Sequence, residues 1–288
     1  MSQTLRLVYP QWQGGIISHW IKELKPEDSS RGYYLGAKLL SILAPENNTH
    51  KTIEVPVSLN IEKREVKNGI MDYDYIVKQT NSALDILNKN NPDKIIVFGG
   101  ECSVSAAPFT YLNKKYNNDI ALIWIDAHPD ITLPEDNTYA GYHAMAVSAC
   151  MGKIDAINNL PSKISSENIL FLGLRDWERE EIRIRQKEYG IKHFAPEEIS
   201  KSSECIIKWL KECKASKVFI HFDLDVLDPN EIIAAVGVSP NGMKINEAVR
   251  VINDIAGEKE LAGLTIAEHM PRVEILMKNM MAELPLFN

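Results

Sequence analysis

Only four cysteines occur in the 288 residues, Cys102, Cys150, Cys205 and Cys213, and no two of them stand in a C-x-x-C spacing. That excludes a disulfide-stapled scaffold and a cysteine-rich zinc site, and it predicts free thiols in a reducing compartment. Long apolar runs are missing: nothing approaches the roughly 20 residues of a membrane span, and Met1-Ser2-Gln3-Thr4-Leu5-Arg6 holds no apolar signal core. A cytoplasmic protein with no membrane partner is therefore expected. Positive charge is scarce as well. With 32 Lys and Arg against 39 Asp and Glu the net charge is −7, which argues against a nucleic-acid partner and suits an enzyme-like surface. Low-complexity tracts, short repeats and linkers are also absent, so one domain over residues 1–288 is the simplest division.

Apolar content is ample, at 45%, and its spacing switches repeatedly between two periods. Alternating or continuous apolar runs predict strands at Leu5–Tyr9, Thr52–Pro56, Lys94–Phe98, Ala121–Ile125, Asn168–Leu172, Lys192–Phe194, Val218–Phe222 and Leu261–Ile266. Helical spacing predicts helices over Tyr33–Leu43, Tyr73–Leu87, Ser103–Lys115, Ala144–Met151, Arg179–Tyr189, Pro196–Cys213, Lys244–Ile255 and Arg272–Leu284. Strands alternating with helices are the signature of a mainly parallel sheet of about eight strands covered on both faces, a three-layer α/β/α fold. A (β/α)8 barrel is the alternative, because it also gathers functional residues at strand carboxyl ends.

Two of these strands run into acids. After Ile123-Trp124-Ile125 come Asp126, His128 and Asp130 at every second position; in a strictly extended chain they would share one face. After Phe219-Ile220-His221-Phe222 come Asp223 and Asp225, with Asp228-Pro229 as the turn that ends the segment. Four aspartates and an imidazole leaving two strand ends can supply most of the ligands of a pair of hard divalent ions, and Mn²⁺ suits such a set better than Zn²⁺. Three further segments belong to the same end of the sheet. Gly99-Gly100-Glu101-Cys102-Ser103 follows a strand without the pattern of a phosphate loop, and its glycines let the backbone turn and deliver Cys102 to the pocket. The polar stretch Ile131–Tyr142 is placed to cover the site, and His143 at its end is a candidate for proton transfer. Gly173-Leu174-Arg175-Asp176-Trp177-Glu178 closes another strand, with Glu178, Glu180 and Glu181 at a helix start where acids also pair with the helix dipole.

Taken together, Gly99–Ser103, Asp126-Ala127-His128-Pro129-Asp130, His143, Phe222-Asp223-Leu224-Asp225-Val226-Leu227-Asp228-Pro229 and Glu268 resemble the arginase/agmatinase (ureohydrolase) family, in that family's order and over residues 99 to 271. The resemblance implies an open α/β/α sheet, a homo-oligomer (trimer or hexamer), and two manganese ions that serve hydrolysis of a guanidino C–N bond to urea and an amine. It implies that Asp126 and Asp223 bridge the metals, that His128 and Asp225 complete one position and that Asp130 binds at the other. By the same resemblance His143 moves the proton, Glu268 faces the guanidinium, and Glu178 and Glu181 stand near the substrate's amino group. Three departures stand out. The family's Gly-Gly-Asp-His is here Gly-Gly-Glu-Cys, so Cys102 replaces a histidine ligand and makes its metal position weaker or open to another ion. Thr132 and Tyr139 occupy the lid positions where arginases hold the α-carboxylate. Gly237-Val238-Ser239-Pro240-Asn241-Gly242-Met243 replaces the usual Gly-Thr segment.

A metal-dependent hydrolase of a small guanidino or amidino compound is the leading expectation. Hydrolysis of another C–N bond on the same metal site, or a degenerate relative that binds metal or ligand without turnover, are its competitors. If Asp126 and Asp223 each hold metal, Asp126→Ala and Asp223→Ala abolish activity and lower metal content, whereas Asp228→Ala mainly lowers stability. Elemental analysis of the three purified variants checks this, and unchanged metal in both of the first two would refute the assignment.

Overall fold

The computed structural model describes residues 3–18, 20–61 and 64–286. Eight strands form one sheet: β1 (Thr4–Tyr9), β2 (Lys51–Glu54), β3 (Lys94–Gly99), β4 (Ile120–Ile125), β5 (Ile169–Leu172), β6 (Lys192–Phe194), β7 (Lys217–Asp223) and β8 (Glu260–Ala267). Their spatial order is β2-β1-β3-β8-β7-β4-β5-β6, and every pairing is parallel. The sheet is open, ending at β2 and β6, so the barrel alternative does not hold. Among the described residues no helix is long and apolar enough to cross a membrane.

Side-chain alternation explains why the central strands are apolar throughout. In β4 every residue is buried. Leu122 and Trp124 pack on one face with Phe219 of β7, while Ala121, Ile123 and Ile125 pack on the other with Val218 and Ile220. Helices α2 (Tyr73–Asn90) and α3 (Ala106–Lys115) cover the first face through Ala83, Leu84, Leu87, Phe109 and Leu112. Helices α5 (Glu204–Glu212) and α6 (Ile245–Glu258) cover the second through Ile206, Leu210, Ala248, Val251 and Ile255. The other long helices are α1 (Gly32–Leu43), α4 (Glu180–Tyr189) and α7 (Arg272–Met281), and short ones occur at Pro26–Ser30 and Ala146–Cys150. Burial of each large apolar side chain contributes about 1.5–3 kcal/mol, so the two apolar layers hold the strand ends in fixed positions.

Two local expectations change. The helix expected over Pro196–Cys213 is two pieces, Pro196–Ile199 and Glu204–Glu212. The Arg250 guanidinium of α6 donates to the Ile199 and Ser200 carbonyls at 2.5 and 2.9 Å and to the Ser203 hydroxyl at 2.8 Å, so carbonyls that would propagate the helix are taken by a tertiary contact. A small antiparallel ribbon, Val66–Lys67 against Ile70–Met71, also forms. Its turn is Asn68-Gly69 with both φ angles positive (53° and 73°), the backbone that an Asn-Gly hairpin favours.

Four adjacent strands, β3, β8, β7 and β4, point their carboxyl ends at one place, where open parallel sheets keep their ligand sites. The crossing beside β3 is tight. Gly100 N donates to Tyr9 O at 2.9 Å, Glu101 N to Gln11 O at 3.0 Å, and Glu268 N to Gly100 O at 2.7 Å. A Cβ on Gly100 would lie 1.8 Å from the Gln11 carbonyl oxygen. Gly100→Ala is therefore expected to lower stability by about 1–3 kcal/mol. By contrast Gly257, inside α6 with nothing within 4 Å of an added Cβ, should gain about 0.5–1 kcal/mol as alanine. Urea unfolding of the two variants measures both signs, and a harmless Gly100→Ala would show that the crossing is not tight.

Candidate functional site

The acids converge through turns, not through extended chain. Asp223 ends β7 and its Oδ1 accepts from Asp225 N at 2.7 Å, which opens a 3-10 turn over Leu224–Val226. Asp126 Oδ1 likewise accepts from His128 N at 2.6 Å, and Asp130 has a left-handed backbone with φ 48°. Ala127 N donates to Asp225 Oδ1 at 3.1 Å and ties the two segments together.

Two groups of donor atoms result, each within 4.8 Å: Asp126, His128 and Asp225 form one, and Cys102, Asp126, His221 and Asp223 form the other. Asp126 belongs to both and Asp223 only to the second. A third group, Cys102, His143 and Glu268, borders them. Within these, His128 Nδ1 is 2.9 Å from Asp225 Oδ2, and Cys102 Sγ lies 2.9 Å from Asp223 Oδ2 and 3.4 Å from Glu268 Oε1. Asp130 is in neither of the first two groups; its Oδ2 is buried without a hydrogen-bond partner.

Crowding of anions away from water governs the titration of the site. Burial, reinforced by the Asp225 charge, pushes Asp126 up to about 7 despite His128. Burial and then the neighbouring carboxylates hold Asp130 and Asp223 well above the usual range. For Asp225 burial is the largest single influence and acts in the same direction, but the His128 charge and hydrogen bond, the Ala127 N–H and the Arg175 charge together outweigh it and bring the group down to about 2. Burial would depress His128, and the Asp225 and Asp126 carboxylates reverse that, raising it well above its ordinary value. Cys102 is held as a neutral thiol by burial and by the Asp223 charge. Asp225 apart, which His128 and Arg175 answer, the shifts are those of anions whose nearby cations are too few. The orphaned Asp130 oxygen and the carboxylate-rich donors fit hard divalent ions, which would relieve this repulsion.

Above the acids opens a cavity of about 720 Å³ lined by Cys102, His128, Asp130, Asp223, Asp225, Glu268, His143, Tyr139 and Glu178 among others. His143 Nδ1 is 3.6 Å from Glu268 Oε1, and its Nε2 is 2.8 Å from the Tyr139 hydroxyl. Burial alone would lower His143; Tyr139, Glu268 and Asp130 together raise it well above its ordinary value. Of the four residues expected around the substrate's far end, Tyr139 and Glu178 line the cavity. Thr132 and Glu181 do not. Thr132 is buried beneath the lid and accepts from Arg179 Nη2 at 3.3 Å, and Glu181 turns to Arg179 Nε at 2.8 Å. Sequence reasoning passed over Tyr33, Asp176 and Arg179, which also line the cavity. Burial and the Glu268 charge raise the Tyr33 hydroxyl well above its ordinary value, and Asp176 Oδ2 accepts from Ser239 Oγ at 3.2 Å. It also passed over His221, although period-2 alternation along β7 puts residue 221 on the same face as Asp223.

With this geometry in view, comparison with known proteins is specific. The arginase family model matches residues 41–284. An arginase of Staphylococcus aureus is 31% identical over 190 residues, covering 62% of this chain and 62% of that protein. This chain thus spans about three-fifths of the length of the curated relatives it matches. Among solved structures, Entamoeba histolytica arginase in complex with L-ornithine is similar with a TM-score of 0.77 and 18% identity, covering 98% of this chain and 96% of that one. The formimidoylglutamase of Bacillus subtilis is similar with a TM-score of 0.71 and 16% identity, covering 94% of this chain and 80% of that one.

The lid has one strong anchor. Arg185 Nη1 and Nη2 clasp the two Asp136 oxygens at 2.6 and 2.5 Å, and Nη1 also reaches Ile131 O at 3.0 Å. Burial would raise Asp136, but the hydrogen bonds and charge from Arg185 prevail and hold it below its ordinary value. A depressed carboxylate contributes stability that is complete above its unfolded pKa near 4 and is lost as pH falls through the folded value. Arg185→Met should therefore cost about 1.5–3 kcal/mol at neutral pH and markedly less in acid. Urea unfolding of both proteins at neutral pH and near pH 3 measures the difference; a cost independent of pH would assign it to the Ile131 contact instead.

Proposed function

Because the chain belongs to the arginase family, we propose that it hydrolyses the C–N bond of a small guanidino or amidino compound, releasing urea or a related amide and an amine. The observation that supports this best is the stacking of two kinds of chemistry in one cavity. Cys102, His128, Asp130, Asp223 and Asp225 line it, with Asp126 grouped among the same donors, and Glu268 with His143 stand beside them. The first six would hold two divalent ions, manganese by family resemblance, with the position at Cys102 the weaker or the one open to another metal. When bound, such a pair supplies Lewis-acid activation of water and of the reacting carbon's substituents.

The chain's own groups do the rest. Cys102 N donates to Glu268 Oε1 at 3.1 Å, which fixes a carboxylate able to pair with a planar cation through charge-assisted bonds. His143, flanked by Glu268 and the Tyr139 hydroxyl and held above its ordinary value by Tyr139, Glu268 and Asp130 against burial, is placed to pass a proton to the departing nitrogen. Farther out, Asp176 and Glu178 make the mouth acidic and suit a distal ammonium. Glu178 shares its charge with Arg179, whose Nη1 is 3.6 Å away. A second reading follows from that arginine: a carboxylate tail could displace the acids and take Arg179, giving a guanidino acid as substrate.

Four free cysteines agree with a cytoplasmic setting. Exposed apolar side chains Val273, Met277 and Met280 at helical spacing on α7 support a homo-oligomer. Urea release from a panel of guanidino compounds, with added Mn²⁺, tests the activity and its direction. Small guanidino amines are expected to be hydrolysed in preference to guanidino acids. An acid turned over efficiently while no amine reacts would reverse the orientation, and no release from any member would favour a binding protein without turnover.

A further inference from the structure

His221 lies on β7 two residues before Asp223 and is fully buried. Its ring stacks on Trp124 with centroids 3.6 Å apart and planes inclined by 14°, and its Nδ1 is 2.8 Å from Ser105 Oγ. Nothing satisfies the other nitrogen. Nε2 is buried without a hydrogen-bond partner, and it stands 3.9 Å from Asp126 Oδ2, an oxygen that already accepts from Trp124 Nε1 at 2.9 Å. An unpaired polar atom in such a place is costly unless something binds it. Yet this nitrogen is gathered with Cys102 Sγ and carboxylate oxygens of Asp126 and Asp223, all within 4.8 Å of one another.

We propose that His221 is a metal ligand, supplying through Nε2 the imidazole that position 102 lacks, so that Cys102, Asp126, His221 and Asp223 together hold one ion. The idea rests on the metal-dependent reading above. Donors around a single tetrahedral ion at about 2.0–2.3 Å are about 3.3–3.8 Å apart, so the observed cluster closes on an ion by side-chain adjustment alone. Ser105 is placed for the role that a ligating histidine requires of its neighbour: its hydroxyl, 2.8 Å from Nδ1, can accept from Nδ1–H, which would leave the Nε2 lone pair free and fix the ring. One thiol, one imidazole and two carboxylates form a softer set than Asp126, His128 and Asp225 on the other side. The Cys102–His221 position therefore prefers Zn²⁺, Fe²⁺ or Co²⁺ over Mn²⁺, and the two metals of the pair differ. Metal binding there releases the Cys102 proton, because the thiolate is the ligand.

The test counts ions and needs no substrate. Chelator-stripped protein is titrated with Co²⁺, stoichiometry is read by elemental analysis, and sulfur ligation is read from thiolate-to-cobalt charge-transfer absorption. The native chain should bind two ions and show the sulfur band. His221→Phe keeps a ring against Trp124 but offers no nitrogen; it should bind the second ion at least tenfold more weakly, with the sulfur band lost. Adding Cys102→His to that variant should restore the second ion. Ser105→Ala, a milder change, should weaken it by about 10–100-fold, and it decides the matter if His221→Phe does not fold. Undiminished binding of both ions in His221→Phe, or in Ser105→Ala where the former is unfolded, would overturn the proposal, as would a native chain that binds fewer than two ions. Since urea is not measured, an inactive protein can still bear out the ligand, and an active one can refute it.

Discussion

Anions held out of water at one point are the constraint on which the rest of this structure depends. Asp126, Asp130, Asp223, Asp225 and Glu268 are all buried at the carboxyl ends of neighbouring strands. Charged groups so placed repel one another and lose hydration, so they persist only in a frame too rigid to spread apart and with cations or hydrogen-bond donors to answer them. The frame is the pair of apolar layers on the sheet. Part of the answer is local: backbone N–H groups of Ala127, His128, Asp225 and Cys102 each donate to a carboxylate of the set.

Behind the site the same logic recurs with side-chain hydrogen bonds as the answer. Glu101 is fully buried, accepting from Gln11 Nε2 at 2.6 Å, Ser103 N at 2.8 Å and Ser103 Oγ at 2.7 Å. Gln79 in turn donates to Gln11 and Gln13, and Arg64 joins Asp72 to the Gln13 and Gly15 carbonyls. This network locks the first loop of the chain under the segment that delivers Cys102. A site whose donors must meet within a few tenths of an ångström needs such backing more than it needs any single ligand.

Much of this was legible in the sequence because the informative signals are local. Apolar runs ending in Asp126-Ala127-His128 and Asp223-Leu224-Asp225 mark strand ends, and their chemistry follows from residue type. The order of the strands was not legible, since β8 and β7 enter between β3 and β4 only after most of the chain has been laid down. The break at Ser200–Ser203 depends on Arg250, some fifty positions away. Thr132 and Glu181 were expected at the cavity and instead serve Arg179, a side chain whose direction no spacing specifies. Asn68-Gly69, by contrast, was a readable hairpin signal. His221 was hidden by its setting: within an apolar strand a histidine reads as core, and only the empty nitrogen beside three other donors says otherwise.

Trp124 touches both halves of the site. Its indole ring lies flat on His221 while its N–H points at Asp126, a residue common to both donor groups. The ring is completely buried, so no solvent relaxation blurs its surroundings. Any change of charge on that imidazole or that carboxylate alters the electric field across the chromophore directly. The protein thus carries an internal optical gauge, and its near-ultraviolet dichroism and emission should track the state of the floor of the cleft in a sample with no label attached.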